Sequence, residues 1–148
     1  MNDPHNLQRF VDAQDKVLDV VLEELRAGHK ETHWIWFIFP QLKGLGHSFQ
    51  SNHFGIASLS EAQAYLQHPL LGPRLRECTQ RVNLVEGRTI EQIFGYPDDL
   101  KFRSSMTLFA HATSDKQPFV NAVNRYFSGE YDAVTLERIA VRDTDPRE

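Results

Sequence analysis

Helix start and stop signals recur along this chain, while strict period-two alternation is scarce; together they confine it to a mainly helical fold. Leu7, Phe10, Val11, Leu18, Val21, Leu22 and Leu25 follow the i, i+3, i+4 spacing of one buried helical face. Asp3 before Pro4 caps that first helix, and Gly28 stops it. Capping-box patterns follow at Ser58 with Glu61, Thr89 with Gln92, and Ser114 with Gln117. Gly72-Pro73 opens another helix, with Leu75, Cys78, Val82 and Val85 on one face. Pro97 opens a helix from Asp98 to about Ala112 that turns Phe102, Met106, Phe109 and Ala110 inward. Phe119, Val123, Tyr126 and Phe127 carry the pattern to Gly129, and Asp132 caps a final helix through Thr135, Leu136 and Ile139. The best strand candidate is Trp34 to Phe39, which Pro40 ends, and no second run offers it a clear partner.

The expected fold is therefore all-α: a compact single-domain bundle of about six to seven short helices, with an aromatic, partly irregular segment at 33–54. The domain is expected over residues 1–141. The charged tail 142–148, with Pro146, is expected to fray. A chain of 148 residues fits one domain that buries about two thirds of its unfolded surface, so it needs no metal or disulfide staple.

Charge and cysteine usage exclude several roles. A net charge of -4 argues against a partner bound through its nucleic-acid backbone. Cys78 is the single cysteine, so no intrachain disulfide forms, and a reducing cytoplasm is the simplest location. The opening MNDPHN lacks the basic-then-apolar pattern of a signal peptide. The longest apolar run, Trp34 to Phe39, falls far short of the roughly 20 residues that span a bilayer, so no membrane partner is expected. Walker, dinucleotide-glycine, HExxH, paired CxxC and GxSxG patterns are all missing, and no cofactor or metal ligand set is read. Cys78, on an apolar helical face, reads as an inert buried thiol.

The segment HWIWFIFPQLKGLGHSFQSNHF, residues 33–54, holds both tryptophans, four of the ten phenylalanines and three of the seven histidines. Trp36, Phe37 and Phe39 read as core. Trp34 reads either as core or as a platform on which a base stacks. After Pro40, the residues Gln41, Lys43, Gly44, Gly46, His47 and Ser48 offer amide, ammonium and backbone N–H groups to an anion such as phosphate, or form a plain surface loop. His33 and His47 are candidates for proton transfer, as are Glu61 and Asp99 for polarising water. His68, before Pro69, is expected to end a helix with its imidazole near the terminal carbonyls. Lys101, Ser104 and Ser105 share one side of a helix and can hold a carboxylate or phosphate, although either serine can instead bond back to a carbonyl one turn earlier. Arg74, at the next helix start, adds a cation or forms a surface ion pair.

Four blocks, HWIWFIFPQLKGLGHS, HPLLGPRLRE, PDDLKFRSSMTLF and GEYDAVTL, resemble a bacterial family of unknown function whose members are often mislabelled "calpastatin". The resemblance spans roughly Leu7 to Ile139 and implies a small, mainly helical domain without supplying an activity. A calpastatin-type inhibitor is disordered and poor in aromatics, whereas this composition builds a core. A weaker likeness links Phe37–Pro40, Glu61-Ala62 and Asp99–Met106 to the NADAR family, which acts on ADP-ribose derivatives and glycosidic bonds; the spacing departs from that family's pattern. The functional expectation is a pocket between the 40–48 loop and the 98–109 helix that binds a small phosphate-bearing, nucleotide-like molecule. The alternatives are a hydrolase of glycosidic bonds in ADP-ribose or nucleotide derivatives, and a protein-interaction module. All rest on one geometric condition: the loop after Pro40 and the helix after Pro97 must meet in space.

Overall fold

The computed structural model describes residues 2–143. Within them run ten helices: α1 (Gln8–Asp15), α2 (Leu18–Ala27), α3 (Ile35–Ile38), α4 (Phe49–His53), α5 (Leu59–Gln67), α6 (Leu71–Leu84), α7 (Ile90–Phe94), α8 (Asp98–Ala110), α9 (Gln117–Phe127) and α10 (Ala133–Asp143). The fold is mainly all-α, as the periodicity requires. The extra helices have identifiable sources. The first apolar stripe breaks at Val17 (φ -134°), making two helices of one, and the aromatic segment winds into two single turns, α3 and α4. Trp34–Phe39 is therefore helical and not a strand, which corrects the sequence expectation. The extended pairing that does form is an isolated parallel bridge between Leu42 and Ile56. α10 runs two residues past the boundary expected at 141, and most of the tail lies outside the described residues.

Most of the punctuation works as read. Asp3 accepts the N–H groups of Leu7 and Gln8, and Gly28 closes α2 at φ 70° in the left-handed region. Thr89 and Gln92 form the complete capping box, and Asp132 accepts from the N–H and hydroxyl of Thr135. Two readings fail. α9 begins after Lys116 with no side-chain cap, so Ser114 does not start it; Pro118 in its first turn does that work. His68 ends α5, but its Nδ1 accepts from the N–H groups of Leu70 and Leu71, capping the start of α6 rather than meeting carbonyls.

α8 is the central element. It packs against α3, α5, α7, α9 and α10 and is buried nearly all round from Phe102 to Ala110. Phe39, Phe94 and Phe102 meet in edge and stacked contacts, and Phe109 reaches Tyr65 and Phe119. Burial pushes the Cys78 thiol up to about 12, with Glu77 adding to the shift, which fits an inert core thiol. No helix of the described residues is long and apolar enough to cross a membrane.

Candidate functional site

Pro40 stops α3, and the chain then folds back in a loop that the Leu42–Ile56 bridge fixes. The Lys43 N–H donates to Ile56 O (2.8 Å), and the Ile56 N–H donates to Gln41 O (2.9 Å). Leu42 and Ile56 are buried beneath it. Gly46 lies so close to Ser51 that an added Cβ would sit 2.4 Å from its Oγ, so glycine lets the loop close onto α4. Ser48 starts α4 by accepting from the Ser51 N–H.

This loop faces the first two turns of α8 and the start of α10 across an open cleft of about 290 Å³. Gln41, Leu45 and Gly46 form one wall, Pro97, Leu100, Lys101 and Ser104 the second, and Asp132 with Val134 the third. The two sequence blocks, some sixty residues apart, do meet.

Lys101 is positioned by two groups. Its ammonium lies over the Trp36 ring (4.9 Å to the centroid) and 3.4 Å from Asp98 Oδ1. The other oxygen of Asp98 holds Lys30 at 2.8 Å, and Lys30 in turn lies over Trp34 (5.1 Å). Asp98 thus ties together two lysines, each covering one tryptophan, where α3 meets the N-terminus of α8. The Ser104 hydroxyl donates to Leu100 O one turn back (3.2 Å), so it offers the cleft an acceptor. Asp132 spends Oδ2 on Thr135, and its N–H donates to Thr107 Oγ1. Arg138, one turn beyond Val134, places its guanidinium 2.9 Å from where a Gly44 Cβ would stand, adding a cation near the loop.

Gln41, Gly46, Lys101 and Ser104 are the sequence candidates that line the cleft; the others lie elsewhere. Trp34 is 1% exposed, and its indole donates to Glu24, so no face is left for a ligand to stack on. Burial raises the Glu24 carboxyl, but hydrogen bonds from Glu31, Thr32 and Trp34 outweigh it and hold the group below the usual carboxylate range. Glu61 is buried, pairs with Arg9 at 2.8 Å and accepts the Ala57 N–H, a clamp that joins α1 to α5. Asp99 is buried and accepts the Leu100 N–H. Ser105 is fully buried on the core side of α8. Arg74 pairs with Asp15 and donates to Gln14, tying α6 to α1. His33, His47 and Lys43 are exposed and, with Gly44 and Ser48, are not among the cleft's lining residues. Sequence reasoning missed Asp132 as a cleft residue, having read it as a cap, which it also is. It missed Lys30 entirely, since nothing local connects Lys30 to Asp98.

A family model described as "Protein of unknown function (DUF1810)" matches residues 4–139. The chain belongs to that family. A crystal structure in the same fold, titled as the conserved hypothetical protein Rv1873 from Mycobacterium tuberculosis, is 59% identical to it, with a TM-score of 0.93 over 93% of this chain and 99% of that one. No functionally curated protein matches. Membership of the family fixes the fold and leaves the chemistry of the cleft to be argued from its residues.

Proposed function

We propose that the cleft between the 41–46 loop, α8 and α10 binds a small phosphate-bearing molecule, with a nucleotide-like group against its apolar wall. The observation that carries this reading is the convergence of the two blocks, which puts the Lys101 ammonium and the Gln41 amide around one concavity, with the Ser104 oxygen as an acceptor for a ligand hydroxyl. Lys101 is held by Asp98 and Trp36, so a ligand meets an ammonium already partly ordered. Arg138 beside Gly44 adds positive potential on a chain of net charge -4. Leu45, Leu100 and Val134 supply the apolar contact that a sugar or base ring needs.

A second reading, hydrolysis of a glycosidic bond, draws on one observation. Asp132 brings a carboxylate to the cleft wall, and its Oδ1 has no partner among the described residues, so it can activate a water. The weaker likeness to the NADAR family would make the substrate an ADP-ribose derivative. In that reading Asp132 takes the role that the sequence offered to Glu61 or Asp99.

A thermal-shift screen of nucleotides, ADP-ribose, NAD and sugar phosphates tests both. A ligand at 100 times its dissociation constant raises stability by about 2.7 kcal/mol. The expected result is a shift for at least one compound that Lys101→Gln abolishes while the ligand-free melt stays nearly unchanged. If no compound shifts the wild-type melt, or Lys101→Gln retains the shift, the binding reading fails. Product release from a binding compound, lost in Asp132→Asn, would favour the hydrolase.

A further inference from the structure

Away from the cleft, a second cavity of about 440 Å³ opens where the start of α7 meets the end of α9, lined by Arg88, Thr89, Ile90, Arg125 and Tyr126. Six other arginines are neutralised: Arg9, Arg26, Arg74, Arg76, Arg81 and Arg103 each lie within salt-bridge distance of a carboxylate, while Arg138 stands apart beside Gly44. Arg88 and Arg125 have no such partner among the described residues, and both line this one cavity.

Their surroundings hold them in place without cancelling their charge. Arg125 donates through Nη2 to the Val85 carbonyl, at the C-terminal end of α6, and lies 5.4 Å over the Tyr126 ring. Tyr126 is fixed in turn, its hydroxyl donating to Val82 O. The remaining Arg125 donors, Nε and Nη1, meet no acceptor among the described residues. The Arg88 side chain rests on Gly28: Cδ and Nε lie 3.3 and 3.6 Å from where a Gly28 Cβ would be. The Thr89 N–H is already closed by Gln92 in the capping box, so the helix end is satisfied and the two guanidiniums carry the unmet demand. Two arginine forks beside a hydroxyl, with Ile90 and the Tyr126 ring as the apolar side, are the donor set for a dianionic phosphate whose organic group packs on the ring.

We infer that this cavity is a second binding site, for a dianionic phosphate ester, separate from the cleft. It does not depend on the function proposed for the cleft. Arg88→Gln is the decisive variant, because Arg88 makes no hydrogen bond or ion pair among the described residues whose loss could unfold the protein.

The probe is inorganic pyrophosphate, titrated into the ¹⁵N-labelled full chain and followed by NMR at low and at physiological salt. Saturable shifts are expected at Arg88, Thr89 and Arg125. Binding should weaken at least about tenfold in Arg88→Gln and in Arg125→Gln, the cost of a lost charge-assisted bond. It should weaken less in Arg125→Lys, which keeps charge but not the fork. Added salt should weaken it, and Lys101→Gln should leave it unchanged. No saturable shift in the wild type, shifts that map to the cleft, or equal affinity in Arg88→Gln would overturn the assignment.

Discussion

Trp34 and Trp36 stand two residues apart on one turn of helix, and each lies under a lysine held by Asp98. Their environments nonetheless diverge. Trp34 turns to the core, meets Phe39 and Phe94, and gives its N–H to Glu24. Trp36 is half-buried, and its Nε1 is buried without an acceptor among the described residues. It borders a void of about 10 Å³ behind Gln41, roughly the room one water needs. A satisfied donor and well-packed ring make Trp34 a structural post. An unsatisfied donor and partial exposure leave Trp36 on the side of the molecule that the cleft occupies. The difference shows that an aromatic's role is set by its polar partner and not by its position in a hydrophobic run.

The comparison can be broken by substitution. Trp34→Ala should cost about 3–5 kcal/mol, since it empties a packed site and strips Glu24 of a donor; chemical denaturation measures it, and a cost near that of an exposed residue would refute the post. Glu24→Gln should cost about 1.5–3 kcal/mol near neutral pH, because the carboxylate accepts from three residues. The sign with pH follows from its lowered pKa. The ionised group contributes stability fully above its unfolded value of 4.5, and that contribution is lost as pH falls through the lower folded value. The gap between wild type and Glu24→Gln should therefore narrow in acid, and a gap that stays constant to pH 3 would assign the effect to packing. Trp36→Phe should cost less than about 1.5 kcal/mol, because its N–H has no bond to lose. A larger cost would mean that Nε1 is satisfied after all.

Much of the architecture was legible because it depends on neighbours in sequence. Asp3, Gly28, Thr89 with Gln92, and Asp132 act within one turn of their own position, so their signals survive without tertiary knowledge. The strand expectation at Trp34–Phe39 failed because six apolar residues in a row carry no period, and packing then chose the helix. Ser114 failed because its capping pattern competed with Pro118 inside the helix start. Of the site, the sequence named Gln41, Gly46, Lys101 and Ser104. It placed Glu61 and Asp99 beside them, because the sequence does not show that Arg9 reaches Glu61 across 52 residues or that Asp99 turns inward.

The sequence by itself determined a mainly helical fold with a buried thiol and two polar blocks worth watching, since apolar periodicity and caps are local and strong. Only the tertiary structure decided which side chains face one another. It put Trp34 in the core and Trp36 beside the cleft, made Asp98 the link between two lysines, and left Arg88 and Arg125 without a carboxylate among the described residues. Those outcomes follow from long-range packing around α8, where a difference of a fraction of a turn moves a side chain from solvent to interior.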